Sequence, residues 1–150
     1  MVEHQVWKKN SYTITTKKTD LNIGLIFKIL SQSYWAKERT IEQIRGSIDN
    51  SYCFGLYDND QQVGFGRVIT DKFTFAYLAD VFVVANYQGK GLGKWLIATI
   101  LKDKTFAQVG KWYLLTKDAH TLYEKFEFEA LTYPERIMSR KINFKSQSEL

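Results

Sequence analysis

The chain has 150 residues, a length that most simply corresponds to one domain with a sizeable hydrophobic core. Its composition is that of a soluble globular protein, with 45% hydrophobic, 25% charged and 15% aromatic residues. The single cysteine, Cys53, excludes an internal disulfide and a multi-cysteine metal site, and its place in a strand-like run indicates a small buried hydrophobe.

The net charge of +5 raises the question of a nucleic-acid partner. The basic residues are spread along the chain, however, and no recognition-helix or RNA-binding motif accompanies them. The polar N-terminus lacks the apolar core of a signal peptide, and no apolar run reaches transmembrane length. We therefore expect a cytoplasmic protein with neither a membrane nor a nucleic acid as its partner, folded as one domain over residues 1–150 with a frayed tail at 145–150.

The first third of the chain predicts a strand within residues 5–16 and a buried helix over 21–30 with Asp20 as its N-cap. The helical periodicity then breaks over residues 31–39. Binding groups concentrate in loops, so Tyr34, Trp35 and Arg39 of this segment are candidates for a substrate pocket. The alternative is that the two aromatic rings cover the edge of the core while Arg39 is solvated.

The middle of the chain predicts a short helix followed by a three-stranded meander. Thr40 and Gln43 have the spacing of a capping box, in which each side chain accepts a hydrogen bond from the other residue's backbone N–H. Strand-like runs at 52–57 and 62–69 flank a turn-rich connector and predict a hairpin. A third strand is expected over residues 75–84.

A glycine-rich loop follows this third strand and opens a helix with apolar residues at helical spacing up to Ile100. Backbone N–H groups at a helix start have no helical acceptor, and glycines leave them uncovered. The positive end of the helix dipole favours an anion as well. We therefore expect the loop to hold a phosphorylated cofactor through these residues: Gln88, Gly89, Lys90, Gly91, Leu92, Gly93 and Lys94.

Two common phosphate loops do not fit this spacing. The nucleotide-hydrolase pattern G-x-x-x-x-G-K-S/T would need glycine at Gln88 and a hydroxyl at Trp95. The dinucleotide pattern G-x-G-x-x-G, started at Gly89, would need glycine at Lys94. The pattern Q/R-x-x-G-x-G/A does fit, with Gln88, Gly91 and Gly93.

The last part of the chain predicts a parallel strand at 112–115, because it follows a helix that itself follows a strand. Asp118 is expected to cap a short helix whose apolar face contains Leu122, Tyr123 and Phe126. Final strands are expected at 128–131 and 137–142.

Two motifs together resemble the GNAT family of N-acetyltransferases. The first is the glycine pattern, which is similar to the acetyl-CoA loop of that family. The second is D-A-x-x-L/F-Y-E-K-x-G-F, which the chain matches at Asp118, Ala119, Leu122, Tyr123, Glu124, Lys125 and Phe128. Glu127 stands where the family usually has glycine, so we expect a locally different helix end there.

The resemblance implies a mixed, mostly antiparallel central sheet of about seven strands flanked by about four helices, in an α+β arrangement. It also implies direct transfer of an acetyl group from acetyl-CoA to a primary amine, without a metal. The acceptor is open, as is assembly as a monomer or a homodimer. A non-catalytic acyl-CoA-binding module on the same fold is the alternative.

The resemblance assigns roles to individual residues. The pantetheine arm of the cofactor is expected along the strand at Phe82 and Val83, with the Val83 N–H as an oxyanion donor. Tyr123 is the candidate general acid for the leaving thiolate, and Asp118 and Tyr123 are also expected to contribute to cofactor binding. Asp80, a carboxylate inside an apolar strand, is either a partnered structural group or an active-site group that accepts the amine proton or binds a cationic substrate. His120 is a rival base.

Overall fold

A computed structural model of the protein describes residues 3–144. The chain divides into two compact units, of which the first ends at Thr116 and the second begins at Lys117. The frayed tail expected at 145–150 lies outside the described residues, and one domain over the whole chain stays a prediction.

The first unit is built on one six-stranded sheet with strands in chain order, close to the strand number expected. Neighbours from β1 to β5 pair antiparallel, whereas β6 pairs parallel to β5. The strands are β1 (Val6–Lys9), β2 (Tyr12–Thr15), β3 (Tyr52–Asp58), β4 (Gln61–Thr70), β5 (Ala76–Val83) and β6 (Trp112–Tyr113). The helices of this unit are α1 (Ile23–Ser31), α2 (Ile41–Asp49) and α3 (Leu92–Lys102).

The N-terminal segment corrects the prediction of a single strand at 5–16, because it forms the β1–β2 hairpin. Lys9 pairs with Tyr12, which leaves a turn of two residues, Asn10 and Ser11. Asn10 adopts φ 56, and asparagine is one of the few residues that enter this left-handed region readily. The turn at Asn10 therefore splits the predicted strand into β1 and β2, which the pattern of apolar residues alone did not indicate.

The helix starts show one correction and one confirmation. Helix α1 begins at Ile23 because the Asn22 side chain accepts the Leu25 N–H at 3.0 Å, so Asn22 is the N-cap and not Asp20. The capping box of α2 is confirmed: Thr40 Oγ1 accepts the Gln43 N–H at 3.1 Å, and Gln43 Oε1 accepts the Thr40 N–H at 2.8 Å.

Helices cover both faces of strand β4. On one face, Phe65 belongs to a buried cluster with residues of α1, α2, β3 and β5: Ile26, Leu30, Ile44, Ile48, Cys53 and Phe82. On the other face, a Cβ added to Gly66 would meet Ile100 of α3 at 2.8 Å, so a glycine here lets the helix approach closely. Helices therefore pack on both faces of the sheet at β4, the strand that pairs with β5.

The second unit contains α4 (His120–Glu124) and a 3₁₀ turn at Pro134–Arg136. The predicted strands at 128–131 and 137–142 are wrong, because no strand forms between residues 117 and 144. Ile137 and Met138 are 53% and 92% exposed, so the segment buries no apolar face of the kind that would hold a strand in place.

Candidate functional site

The glycine loop presents backbone donors at the start of α3. Gly91 is the N-cap, and it adopts φ 79 with no side chain to accept from the first turn. Gly89 adopts φ 78, and a Cβ at either glycine would point into open space. The first backbone acceptor in the helix is Gly91 O, which binds the Trp95 N–H at 3.1 Å. The N–H groups that precede Trp95 in the first turn therefore have no helical acceptor, which is the arrangement that suits an anion.

The loop is fixed to the sheet on both sides. Gln88 Nε2 donates to the Val83 carbonyl at 2.8 Å, which ties the loop to the end of β5. The Tyr87 hydroxyl donates to Asp58 Oδ2 of β3 at 2.9 Å, and the Lys90 ammonium lies 5.1 Å from the centre of the Tyr87 ring. Lys90 and Lys94 are exposed, so they add positive charge beside the glycines without being used in the core.

Among residues 3–144, no strand pairs with the edge of β5 that lies beside this loop. Strand β6 pairs only with Ala76 and Tyr77, so the two parallel strands separate beyond Tyr77 within the first unit. On the opposite edge, the Val84 N–H donates to the Val63 carbonyl at 2.8 Å. Because backbone groups alternate in direction along a strand, the Val83 N–H points away from β4 and towards the gap. Phe82 is buried and packs on Phe65 with ring centres 6.0 Å apart.

A bulge interrupts β5 just before these residues. Phe65 pairs with Phe82 and Arg67 pairs with Ala79, so Gly66 alone opposes both Asp80 and Val81. Asp80 adopts φ 56, a conformation that aspartate tolerates better than most residues. The bulge therefore lies in the part of β5 that is no longer paired with β6.

The carboxylate of Asp80 is the centre of a buried polar cluster, since its side chain is only 1% exposed. Arg67 Nε donates to Oδ2 at 2.9 Å, and Arg39 Nη1 donates to Oδ1 and Oδ2 at 2.8 Å each. Trp35 Nε1 donates to Oδ1 at 3.0 Å, and Arg67 Nη1 reaches the Ser51 hydroxyl at 2.9 Å. The loop after α1 is thus hydrogen-bonded to the bulge of β5.

Two phenol rings lie beside the cluster. The Tyr34 ring contacts the Trp35 indole edge-on, with centres 5.2 Å apart. Burial raises the pKa of Tyr77, and the negative charge of Asp80 raises it further, while the positive charges of Arg39 and Arg67 oppose that rise. Tyr77 is therefore neutral near pH 7 and can donate a hydrogen bond there.

The structure brings together three of the residues singled out from the sequence, Trp35, Arg39 and Asp80. Of the alternatives for Arg39, simple solvation is wrong, because it forms an ion pair at 2.8 Å with Asp80. Sequence reasoning missed Arg67, which is 6% exposed. A usable signal was present: an arginine and an aspartate each stand in an apolar strand of the meander, and a buried charge requires a partner.

Comparisons with known proteins agree with this geometry. The family model of the GNAT acetyltransferase domain matches residues 49–130, which contain β3 to β6, the glycine loop and α4. A crystal structure of a GNAT-family protein from Xanthomonas campestris pv. campestris is 37% identical, has a TM-score of 0.84, and covers 87% of this chain and 93% of its own.

The chain belongs to the GNAT family of acetyltransferases. A curated Gibberella zeae protein that is named as an acetyltransferase is 28% identical over 142 residues, which cover 81% of this chain and 80% of that protein. A Staphylococcus aureus crystal structure is 25% identical with a TM-score of 0.70, and covers 88% of this chain and 98% of its own. The protein is accordingly an N-acetyltransferase.

The second motif of this acetyltransferase lies in the second unit, on α4. The N-cap residue of α4 is Ala119, and no side chain accepts a hydrogen bond from the first turn. The prediction that Asp118 caps the helix is therefore wrong. Asp118 precedes the N-cap by one residue and is not at the position from which a cap accepts the first-turn N–H groups. The Tyr123 ring packs edge-on against Phe128, with centres 5.9 Å apart.

The end of α4 keeps the shape that glycine would give it, which corrects the expectation of a different end at Glu127. Glu127 adopts φ 68. Its N–H donates to the Glu124 carbonyl and the Phe128 N–H donates to the Tyr123 carbonyl, both at 3.2 Å. These two bonds and the Tyr123–Phe128 contact form a Schellman motif, in which a glutamate takes the left-handed position.

No group of three or more histidine, cysteine, aspartate or glutamate side chains within residues 3–144 could hold a metal ion. None of the helices formed by these residues has the length and apolar character needed to cross a membrane.

Proposed function

We propose that this acetyltransferase uses acetyl-CoA and transfers its acetyl group directly to a primary amine. The observation that carries the proposal is the glycine loop at the start of α3 beside the unpaired edge of β5. The loop offers uncovered N–H donors and added lysine charge for a diphosphate, and the strand edge offers backbone groups for an extended amide-containing arm. Acetyl-CoA contains both parts.

The residues that would hold the co-substrate follow from this arrangement. The diphosphate would be bound by the backbone from Gly89 to Lys94, and the pantetheine arm by the edge of β5 at Phe82 and Val83. The Val83 N–H points into the gap and is our proposed donor to the carbonyl oxygen that gains negative charge. Gln88 supports this edge because it holds the Val83 carbonyl.

The reaction forms a bond from the amine nitrogen to the acetyl carbon and breaks the bond from that carbon to sulfur. The amine must be neutral to attack, so it loses a proton, and the leaving thiolate gains one. We propose Tyr123 as the donor of that proton, on the strength of the second motif. His120 stays the alternative proton acceptor for the amine.

We propose Asp80 as a positioning residue of the bulge. Its two oxygens already accept four hydrogen bonds, from Trp35, Arg39 and Arg67. Protonation of the carboxylate would break at least one of these bonds, which supports positioning over proton acceptance. Its φ of 56 means that the same residue also sets the path of the strand.

Thermal unfolding with acetyl-CoA tests the proposal. Saturating acetyl-CoA should raise the Tm, because a ligand that binds only the native state stabilises it by about 2.7 kcal/mol at 100 times its Kd. Gly91→Glu should abolish the shift, since it puts a side chain and a negative charge in front of the N–H donors. Gly110→Glu controls for the added side chain and charge, because a Cβ there also meets open space; the effect of the left-handed φ of 79 at Gly91 is read from the Tm of Gly91→Glu without acetyl-CoA. An absence of any shift with the unmodified protein would refute the proposal.

Turnover separates an enzyme from a binding module. CoA release with a panel of amines should fall in Tyr123→Phe while the acetyl-CoA Tm shift is retained. Unchanged turnover would remove Tyr123 from the acid role. A Tm shift without CoA release from any amine would identify a non-catalytic acyl-CoA-binding module instead.

A further inference from the structure

The polar cluster at the bulge of β5 contains more positive than negative charge. Two guanidinium groups, Arg39 and Arg67, surround one carboxylate, Asp80. Arg67 and Asp80 form the inner pair, with side chains 7% and 1% exposed. Their charges compensate each other, so the surplus positive charge belongs to Arg39.

Arg39 is placed to use that charge on something else. Its side chain is 30% exposed, so it lies at the mouth of the cluster and not inside it. Both of its bonds to Asp80 come from Nη1. Within residues 3–144 its Nε–H and Nη2–H groups make no hydrogen bond, although a guanidinium offers five donors in a planar fork. Such a fork matches the two oxygens of a carboxylate or phosphate.

Arg39 lies on the first unit beside aromatic rings and near the strand edge that is proposed to hold the acetyl donor. Asp80, its partner, stands in the bulge and precedes by two residues the strand edge at Phe82 and Val83 that is proposed to hold the acetyl donor. The rings of Trp35, Tyr34 and Tyr77 lie around the cluster. Apolar walls with one charged group are typical of a pocket that fixes the orientation of a ligand.

We propose that the acceptor is a primary amine that also carries a carboxylate or phosphate group, and that Arg39 binds this acidic group. The inference rests on the proposed acetyl transfer. An acidic group at Arg39 balances the surplus charge of the cluster and presents the amine of the same molecule to the edge of β5. Asp80 holds the Arg39 guanidinium through Nη1 alone, which leaves the Nε–H and Nη2–H donors available for that acidic group.

Matched pairs of amines test the proposal through the kcat/KM for CoA release. Each pair differs by one acidic group: alanine and alaninamide, phosphoethanolamine and ethanolamine, glucosamine 6-phosphate and glucosamine. The acidic member of at least one pair should be preferred roughly tenfold to hundredfold, the range for a hydrogen-bonded charged group. Turnover of neutral amines alone, or equal turnover within every pair, would overturn the proposal.

Arg39→Gln assigns the preference to this residue. The ratio of kcat/KM values within the preferred pair should fall roughly tenfold or more, through the KM of the acidic member. Arg39→Lys should recover part of the ratio, because it keeps the charge but not the planar fork. Arg45→Gln, on an exposed position of α2, removes the same charge and should leave the ratio unchanged.

Two readouts keep the outcomes distinct. If Arg39→Gln lowers kcat/KM equally for both members of the pair, Arg39 is only a latch for the loop after α1, and the proposal is overturned. The acetyl-CoA Tm shift is measured on every variant. If acetyl-CoA does not raise the Tm of the unmodified protein, the proposed function itself is contradicted. If the Tm rises but the acidic amines are not preferred, only this inference is contradicted.

Discussion

Asp80→Asn removes the negative charge from the cluster while it changes little else. Asparagine has the same size as aspartate and also tolerates the left-handed φ of 56 found at this position. The substitution therefore leaves the backbone of the bulge unstrained. It replaces one of the two acceptor oxygens by an amide group, which points donors at the guanidinium groups.

The expected loss of stability depends on whether water can solvate each arginine once the carboxylate is gone. Arg39 is 30% exposed and can be hydrated. Arg67 is 7% exposed, keeps the Ser51 hydroxyl at 2.9 Å and competes with Arg39 and Trp35 for the one remaining amide oxygen, and it stays buried with an uncompensated charge. Removing one partner of a buried pair costs ~3–5 kcal/mol, and the exposure of Arg39 puts our expectation at the lower end. For a chain of this size, ~3 kcal/mol corresponds to a Tm decrease of roughly 6–12 °C.

Urea denaturation followed by tryptophan fluorescence measures this loss, and Asp20→Asn is the matched control. Asp20 pairs with Lys17 at 3.7 Å on the surface, where both side chains are 47% exposed. Such a pair is worth at most ~1 kcal/mol. If Asp80→Asn costs no more than Asp20→Asn, the buried cluster does not hold the bulge and the argument for Asp80 as a positioning residue is wrong.

Three further predictions concern other sites. Glu127→Gly should raise the free energy of unfolding by about 0.5–1 kcal/mol, because relief of the left-handed strain exceeds the entropy cost of glycine. Glu129→Gly should lower the free energy of unfolding, because Glu129 does not have a positive φ and only the entropy cost applies. Burial raises the pKa of the Cys53 thiol to about 12, so a thiol reagent at pH 8 should label it only after unfolding. Hydrogen bonds from the Thr74 hydroxyl and from the Phe73 and Thr74 N–H groups lower the pKa of Asp71 to about 2, which NMR titration measures directly.

Each of these has its own contrary result. A Glu127→Gly variant less stable than the parent would mean that the Schellman end of α4 carries no strain. Rapid labelling of native Cys53 would contradict its burial at 3% exposure. For Asp71, the depressed pKa makes its hydrogen bonds stabilising above the ordinary pKa near 3.8, and that contribution is lost as the pH falls towards 2. A titration midpoint near 3.8 would show that the turn does not form in solution.

The fold could be predicted from the sequence wherever the signal is local. The capping box at Thr40 and Gln43 involves residues three apart, and the hairpin of β3 and β4 is set by its turn. The predicted strands at 128–131 and 137–142 failed because a strand exists only beside a partner, and an apolar pattern does not say whether an edge is available. The left-handed residues Asn10 and Asp80 could not be read from apolar periodicity either.

The sequence by itself determined the proposed cofactor loop of this acetyltransferase: the glycines and lysines of the loop are close together in the chain, and their spacing specifies which backbone groups are uncovered. The proposed acceptor side was decided by tertiary structure. Arg39, Arg67 and Asp80 come from three separate segments, and their meeting depends on the pairing register of β4 with β5 and on one extra residue at the bulge. Local spacing carries no information about that register, because it is fixed by packing across the sheet.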